Sequence, residues 1–170
     1  MEKLELKHIA PYLPYKLKIY YELVNDRNQL DWELTCTNVD FLLMNQNKPI
    51  LHPLSDLTKP CLPDDKIPLI ELCDIERGQI YWTDGGNKSI IDCDDFKGQK
   101  VVQHDSYDSI MAFGFNTELK MFYGTIDIAV ESQQTNIIKQ IELFQKLFEW
   151  HFDVFGLIEK GLAVDINTLK

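Results

Sequence analysis

The chain carries only two arginines, Arg27 and Arg77, among its 170 residues. Arginine is the usual residue for bidentate contacts to phosphate and guanine, so direct nucleic-acid binding is not expected. Bases of either kind are few: 17 Lys and Arg face 27 Asp and Glu, a formal net charge of −10. A surface of that sign is repelled by nucleic acid and by anionic membrane, and drawn to a basic protein groove. No run approaches ~18 consecutive apolar residues, so no transmembrane helix is expected. The N-terminus, MEKLELKHIAPYLPY, has no apolar run ahead of a cleavage site. Cys36, Cys61, Cys73 and Cys93 include no CxxC pair and read as reduced thiols of a cytoplasmic protein. Catalytic signatures are missing too. There is no GxSxG, and no cysteine sits beside a histidine. Gly85-Gly86 lies inside a hairpin turn rather than between a strand and a helix. A non-enzymatic protein without a cofactor is the expectation.

An apolar share of 45% over this length supports one domain with a real core. Pro11 and Pro14 favour extended structure in the lead-in, with Tyr12 and Leu13 packing on the body. Leu17, Ile19, Tyr21 and Leu23 alternate with polar positions, except that Tyr20 falls on the outer face. After the turn Asn25–Gln29, Leu30, Trp32, Leu34 and Cys36 alternate again. Period two on both sides of a polar turn predicts an antiparallel hairpin. Val39 to Met44 reads as a third strand. Residues 45–68 hold five of the seven prolines and form a stiff connector, with one helical turn at Leu54–Lys59 capped by Ser55. Ile67 to Ile75 predicts a short helix that starts near Asp64 or Asp65 and stops at Gly78.

Ile80–Thr83 and Ser89–Ile91 bracket Asp84-Gly85-Gly86-Asn87, a hairpin signature. Val101-Val102 reads as a short strand. Ser109–Phe115 and Leu119–Ile126 bracket a second turn at Asn116-Thr117-Glu118, and Gly114 and Gly124 mark bulges or close packing. From Thr135 to about His151 the spacing is helical. Ile137, Ile141, Phe144, Phe148 and His151 make one row, and Leu143, Leu147, Trp150 and Val154 make the next. Lys139, Glu142, Lys146, Glu149 and Asp153 lie opposite. The fold class expected is α+β: antiparallel β hairpins in a sheet, with a long C-terminal amphipathic helix packed on one face.

The acidic excess is uneven. Asp64, Asp65, Glu71, Asp74, Glu76, Asp84, Asp92, Asp94 and Asp95 face only Lys66, Arg77 and Lys88, a local balance of −6. Such a stretch is a solvated face, or else a partner-binding patch that mimics a phosphate backbone and docks in a protein's nucleic-acid groove. Asp92, Asp94 and Asp95 with nearby His104 are the one cluster resembling a hard-cation site of a metal-dependent nuclease. The calcium-loop spacing is not met, so no metal is expected there. His151, on the apolar row, reads as a partly buried, hydrogen-bonded core residue.

Three stretches carry a resemblance: LKHIAPYLPYKLKI (Leu6–Ile19), KPILHPLSDLTK (Lys48–Lys59) and LFEWHFDVFGLIEKGLAVDINTLK (Leu147–Lys170). Together they resemble a family of small proteins encoded in phages, prophages and mobile elements of Bacteroidota. The resemblance implies a phage protein in a bacterial host cytoplasm and brings no catalytic residues with it. By analogy with other small acidic phage proteins, it implies an inhibitor of host defence, an anti-CRISPR protein. The implied partner is an RNA-guided effector nuclease, Cas13b or Cas9, which holds nucleic acid in a basic channel. The alternatives are a phage replication or assembly accessory protein that oligomerises, and the metal-dependent nuclease.

Overall fold

The computed structural model describes residues 3–20, 32–34, 38–44, 47–77, 88–93, 99–105, 109–128, 131–135 and 139–169. The chain forms two compact units, one of Met1–Leu54 with Gln145–Lys170 and one of Ser55–Phe144. Helices and antiparallel strands occur together, an α+β protein.

The first unit begins with α1 (Leu6–Ile9), which runs into a 3-10 helix over Ala10–Tyr15. The two prolines therefore do not extend the lead-in. They exclude the α-helical ladder but accept the tighter turn, because their fixed φ suits it. Lys16, at φ 55°, ends the turn and redirects the chain. β1 (Lys18–Tyr20) pairs antiparallel with β2 (Trp32–Glu33), Ile19 opposite Trp32. Leu17, Ile19 and Leu34 are buried while Lys18 and Glu33 are exposed, as the alternation requires. The hairpin turn Asn25–Gln29 lies outside the described residues.

Val39–Met44 is a helix, α2, and not a third strand. Val39 and Leu42 lie three apart and pack on one core, which only helical periodicity allows. A short apolar run without alternation does not distinguish the two. The Asn47 amide donates to the Phe41 carbonyl near the helix end (3.3 Å). β3 (Lys48–Leu51) follows, so the connector opens as a strand within the sheet. β3 pairs antiparallel with β1 and parallel with β9 (Val164–Asp165), Ile50 opposite Val164. The order is β2-β1-β3-β9. Ile9, Tyr12, Leu17, Ile19, Leu34, Leu42, Leu51, Leu157 and Ala163 form one buried cluster.

Leu54–Thr58, which enters the second unit at Ser55, is a 3-10 helix with Ser55 inside it rather than at its cap. Asp56 is buried and pairs with Lys59 (2.7 Å). α3 (Pro68–Arg77) starts on a proline, whose missing N–H has no intrahelical partner to lose. Leu69, Leu72 and Cys73 are its buried face.

Five strands then form an antiparallel meander: β4 (Lys88–Cys93), β5 (Gln99–Asp105), β6 (Ser109–Asn116), β7 (Met121–Ile128) and β8 (Glu131–Thr135). The strand expected at Ile80–Thr83 and its turn lie outside the described residues. Ser89–Ile91 falls in β4, which pairs with β5. Phe113, Phe115 and Phe122 are buried together, with ring centroids 4.8 Å apart for Phe115 and Phe122.

The β6–β7 register is unbroken from Ser109 opposite Ile128 to Asn116 opposite Met121, so neither glycine makes a bulge. Gly114 is instead a close approach. A Cβ there would lie 2.4 Å from the Tyr123 hydroxyl and 3.0 Å from Val101 Cγ1. Gly114→Ala is expected to destabilise the protein by about 1–3 kcal/mol, because the Tyr123 ring must leave its place over the strand. Adding Tyr123→Leu removes the clash, so urea unfolding of the double variant should recover part of the loss. Additive losses would show that the ring is not the obstacle.

α4 (Gln140–Glu149) is ten residues long, far shorter than the helix expected from Thr135. Thr135 belongs to β8. Ile141 is 76% exposed, whereas Leu143 and Leu147 are fully buried, so the apolar face is the Leu143–Leu147 row. The division between the two units falls inside this helix, between Phe144 and Gln145. On the second-unit side, Phe144 meets Phe115 and Phe122 edge-on.

Candidate functional site

Six of the nine acids singled out in the sequence are described, all in the second unit. Asp64 and Asp65 sit on an exposed turn, Pro63–Asp65, at φ 61° and 55°. Aspartate tolerates the left-handed region better than most residues. The Cys61 and Leu62 amides both donate to the Lys66 carbonyl (3.3 and 3.2 Å), which closes the turn, and both aspartates are exposed on it.

Glu71 and Asp74 lie three apart on α3. Glu71 pairs with Lys66 (3.2 Å), and Asp74 accepts from Lys88 at the start of β4. Glu76 is buried and accepts the Lys139 main-chain N–H (3.2 Å), while the Lys139 ammonium donates to the Ile75 carbonyl. Its carboxylate fastens the approach to α4 onto the end of α3. Asp92 is exposed on β4, opposite Lys100 of β5. Asp84, Asp94 and Asp95 lie outside the described residues. The acids therefore sort into an exposed pair at 64–65, a salt-bridged pair on α3, one buried tether and one strand position.

His104 occupies the register position opposite Lys88, four residues along the strand pair from Asp92 opposite Lys100. At about 3.3 Å per residue that is roughly 13 Å, too far for one ion to reach both positions. Among the described residues no group of three or more His, Cys, Asp or Glu is placed to hold a metal ion. Among them, too, no helix is long and apolar enough to cross a membrane. Burial pushes the Cys61 thiol up to about 11, with the Asp56 carboxylate adding to the shift, so it stays protonated at neutral pH and is a poor nucleophile.

His151 ends α4 in the left-handed conformation, at φ 58°. The Phe152 amide donates to the Leu147 carbonyl (2.8 Å) and the His151 amide to that of Phe148 (3.1 Å), the paired bonds that close a helix where glycine is usual. Its Nε2 lies 2.8 Å from the Tyr15 carbonyl. This is the partly buried, hydrogen-bonded residue expected. Burial holds its pKa below the ordinary imidazole value, outweighing the Tyr15 carbonyl, with Lys18 adding in the same direction.

The unfolded chain therefore takes up the proton first. The stabilising contribution of the neutral ring is present above the unfolded value of about 6.5 and is lost as pH falls through it. Urea midpoints measured from about pH 7 down to pH 5 should fall more steeply for the wild type than for His151→Asn, which tolerates the same backbone but does not titrate. Equal slopes would refute this.

One strand escapes the sequence reading. β8 is polar throughout, so hydrophobic alternation does not reveal it. It pairs with β7 from Ile128 opposite Glu131 to Gly124 opposite Thr135. One residue short of that pairing lies Tyr123, and then Phe122, whose main chain is held by a side chain instead. The Gln140 amide accepts from the Phe122 N–H (3.1 Å) and donates to its carbonyl (2.6 Å), standing in for a strand. No family profile, curated protein or solved structure is significantly similar to this chain.

Proposed function

We propose that the chain is a phage-encoded, non-enzymatic binding protein that inhibits a host CRISPR effector nuclease, Cas13b or Cas9, by protein–protein contact. The observation that carries this reading is the exposed Asp64–Asp65 pair, held on a closed turn in a chain of net charge −10. Exposed carboxylates on a closed turn offer a basic groove the sign of charge it meets on a nucleic-acid backbone, at little ordering cost. Asp92 adds charge from β4, while Glu71 and Asp74 already share theirs with lysines. Glu76 contributes to the fold rather than to the surface.

Co-purification with Cas13b and Cas9 effectors, read alongside a cleavage assay, tests the proposal. The expected result is a stable complex and loss of cleavage with one of them. Asp64→Asn, Asp65→Asn and Asp92→Asn together should leave folding nearly unchanged, because asparagine tolerates the same turn, and slow association several-fold at low ionic strength, with the difference shrinking as salt is added. An absence of complex and of inhibition across effectors from Bacteroidota hosts would overturn it.

A further inference from the structure

The described sheets have four outer strands, and three are blunted. β2 and β9 are two residues each, and β4 carries Lys88 and Asp92, with Lys88 tied to Asp74 of α3. Short or charged edges discourage pairing with another chain. β8 differs. It spans five residues with an unbroken register against β7, and its sequence, ESQQT, has no proline and a single charge, Glu131, at its first position. Among the described residues no further strand pairs with its outer side.

The direction of its main chain follows from Gln140. Because that amide takes both the N–H and the carbonyl of Phe122, these groups point away from β6, which Phe122 faces through Phe115. Every second residue of β7 then points the same way, so Gly124, Ile126 and Ile128 bond toward β8. Their partners Thr135, Gln133 and Glu131 bond inward. Ser132 and Gln134 are left to direct their N–H and C=O groups outward.

We infer that the outer edge of β8 is a strand-addition site for an extended, lysine- or arginine-bearing segment of a protein partner. Main-chain pairing of this kind supplies affinity, and charge supplies the choice of partner. From Met121 to Ile138 the sequence holds Asp127 and Glu131 and no Lys, Arg or His. A second copy of the chain carries the same net charge of −10, so charge disfavours pairing between copies and favours a basic strand. β8 then supplies a contact for the basic partner proposed above, and the assignment rests on that proposal.

The probe is a synthetic peptide of alternating lysine and valine, with the glutamate–valine peptide as control. On adding the lysine peptide to the full chain, amide exchange at Ser132 and Gln134 should slow at least about tenfold, and the effect should weaken with salt. Ser132→Pro and Gln134→Pro each remove one outward N–H and spare the ladder to β7, so both should abolish binding. The wild-type exchange experiment stands even if a variant fails to fold. No protection at these two amides, equal protection by the glutamate peptide, or a dimer formed through β8 in the absence of peptide would overturn the inference. Two results separate it from the proposed function. An effector that binds Gln134→Pro as tightly as wild type sinks the edge and spares the function. Protection by the lysine peptide with no effector bound does the reverse.

Discussion

Tyr12→Ala is expected to destabilise the protein by about 3–5 kcal/mol, the range for removing a large buried ring. Tyr12 is fully buried in the first unit, within the cluster that joins Ile9, Leu17, Ile19, Leu51 and Leu157. Its ring meets Phe148 edge-on at 5.0 Å and Phe155 at 6.4 Å. Its hydroxyl donates to the Phe152 carbonyl at 2.7 Å, a bond across 140 positions of sequence. Burial pushes that hydroxyl far above the ordinary phenol range, so it remains a donor at any accessible pH. Tyr12→Phe separates the two contributions. It keeps the ring, leaves the Phe152 carbonyl with the Val154 N–H as its donor (2.9 Å), and should cost about 0.5–1.5 kcal/mol, the net worth of one hydrogen bond. Urea unfolding of both variants checks this. A loss under about 1 kcal/mol for Tyr12→Ala would mean that the two ends of the chain are not joined through this residue.

The three stretches behind the family resemblance are the ones that meet around Tyr12. Leu6–Ile19 supplies Ile9, Tyr12, Leu17 and Ile19; Lys48–Lys59 supplies Leu51; Leu147–Lys170 supplies Leu157 and Ala163. β3 and β9, from the last two stretches, pair in parallel, and His52 bridges to Phe152. Their particular residues are therefore explained by mutual packing. The acids offered as a docking surface lie in the other unit.

What was legible in the sequence depended on how each residue reports its surroundings. The Leu17–Ile19 and Leu34 alternation marked a sheet with one wet face, because such a sheet must alternate. Asn116 marked the β6–β7 turn because its side chain can close one. Its Oδ1 accepts from the Glu118 and Leu119 amides (2.9 and 2.8 Å). The run Phe41-Leu42-Leu43-Met44 is apolar throughout and too short to show a period, so the sequence does not separate α2 from a strand. The helical row suggests a longer α4 because Ile137 and Ile141 fit its spacing, yet Ile141 is left largely exposed. β8 gives no signal because ESQQT holds no apolar residue whose alternation could mark a strand. The division of the acids into exposed, salt-bridged and buried was equally hidden. It depends on Lys88 and Lys139, 14 and 63 positions away from Asp74 and Glu76.

Asp153→Ala should be nearly as damaging as Tyr12→Ala, at about 3–5 kcal/mol. At helical spacing Asp153 falls on the solvent side with Glu142 and Glu149. The helix ends before reaching it, and the residue is only 4% exposed. One carboxylate oxygen accepts the Leu157 amide at 2.7 Å and the other the Ile158 amide at 2.8 Å. Its own N–H donates to the His52 carbonyl at 2.9 Å. Asp153 thus ties the segment after α4 to the chain beyond β3, and it fixes the turn that carries Leu157 into the core. Hydrogen bonds to a charged acceptor are worth about 1.5–3 kcal/mol each, and Ala leaves both donors without a partner away from bulk water. Asp153→Asn retains one acceptor and turns an NH2 group toward the other amide, so about half the loss is expected. Amide exchange gives a local readout: the Leu157 and Ile158 protons should exchange faster in both variants, even under conditions where the rest of the unit stays folded. If those two amides keep wild-type protection in Asp153→Ala, the turn is held by the surrounding backbone bonds, such as Leu162 N–H to the Leu157 carbonyl (2.8 Å), and the carboxylate is dispensable.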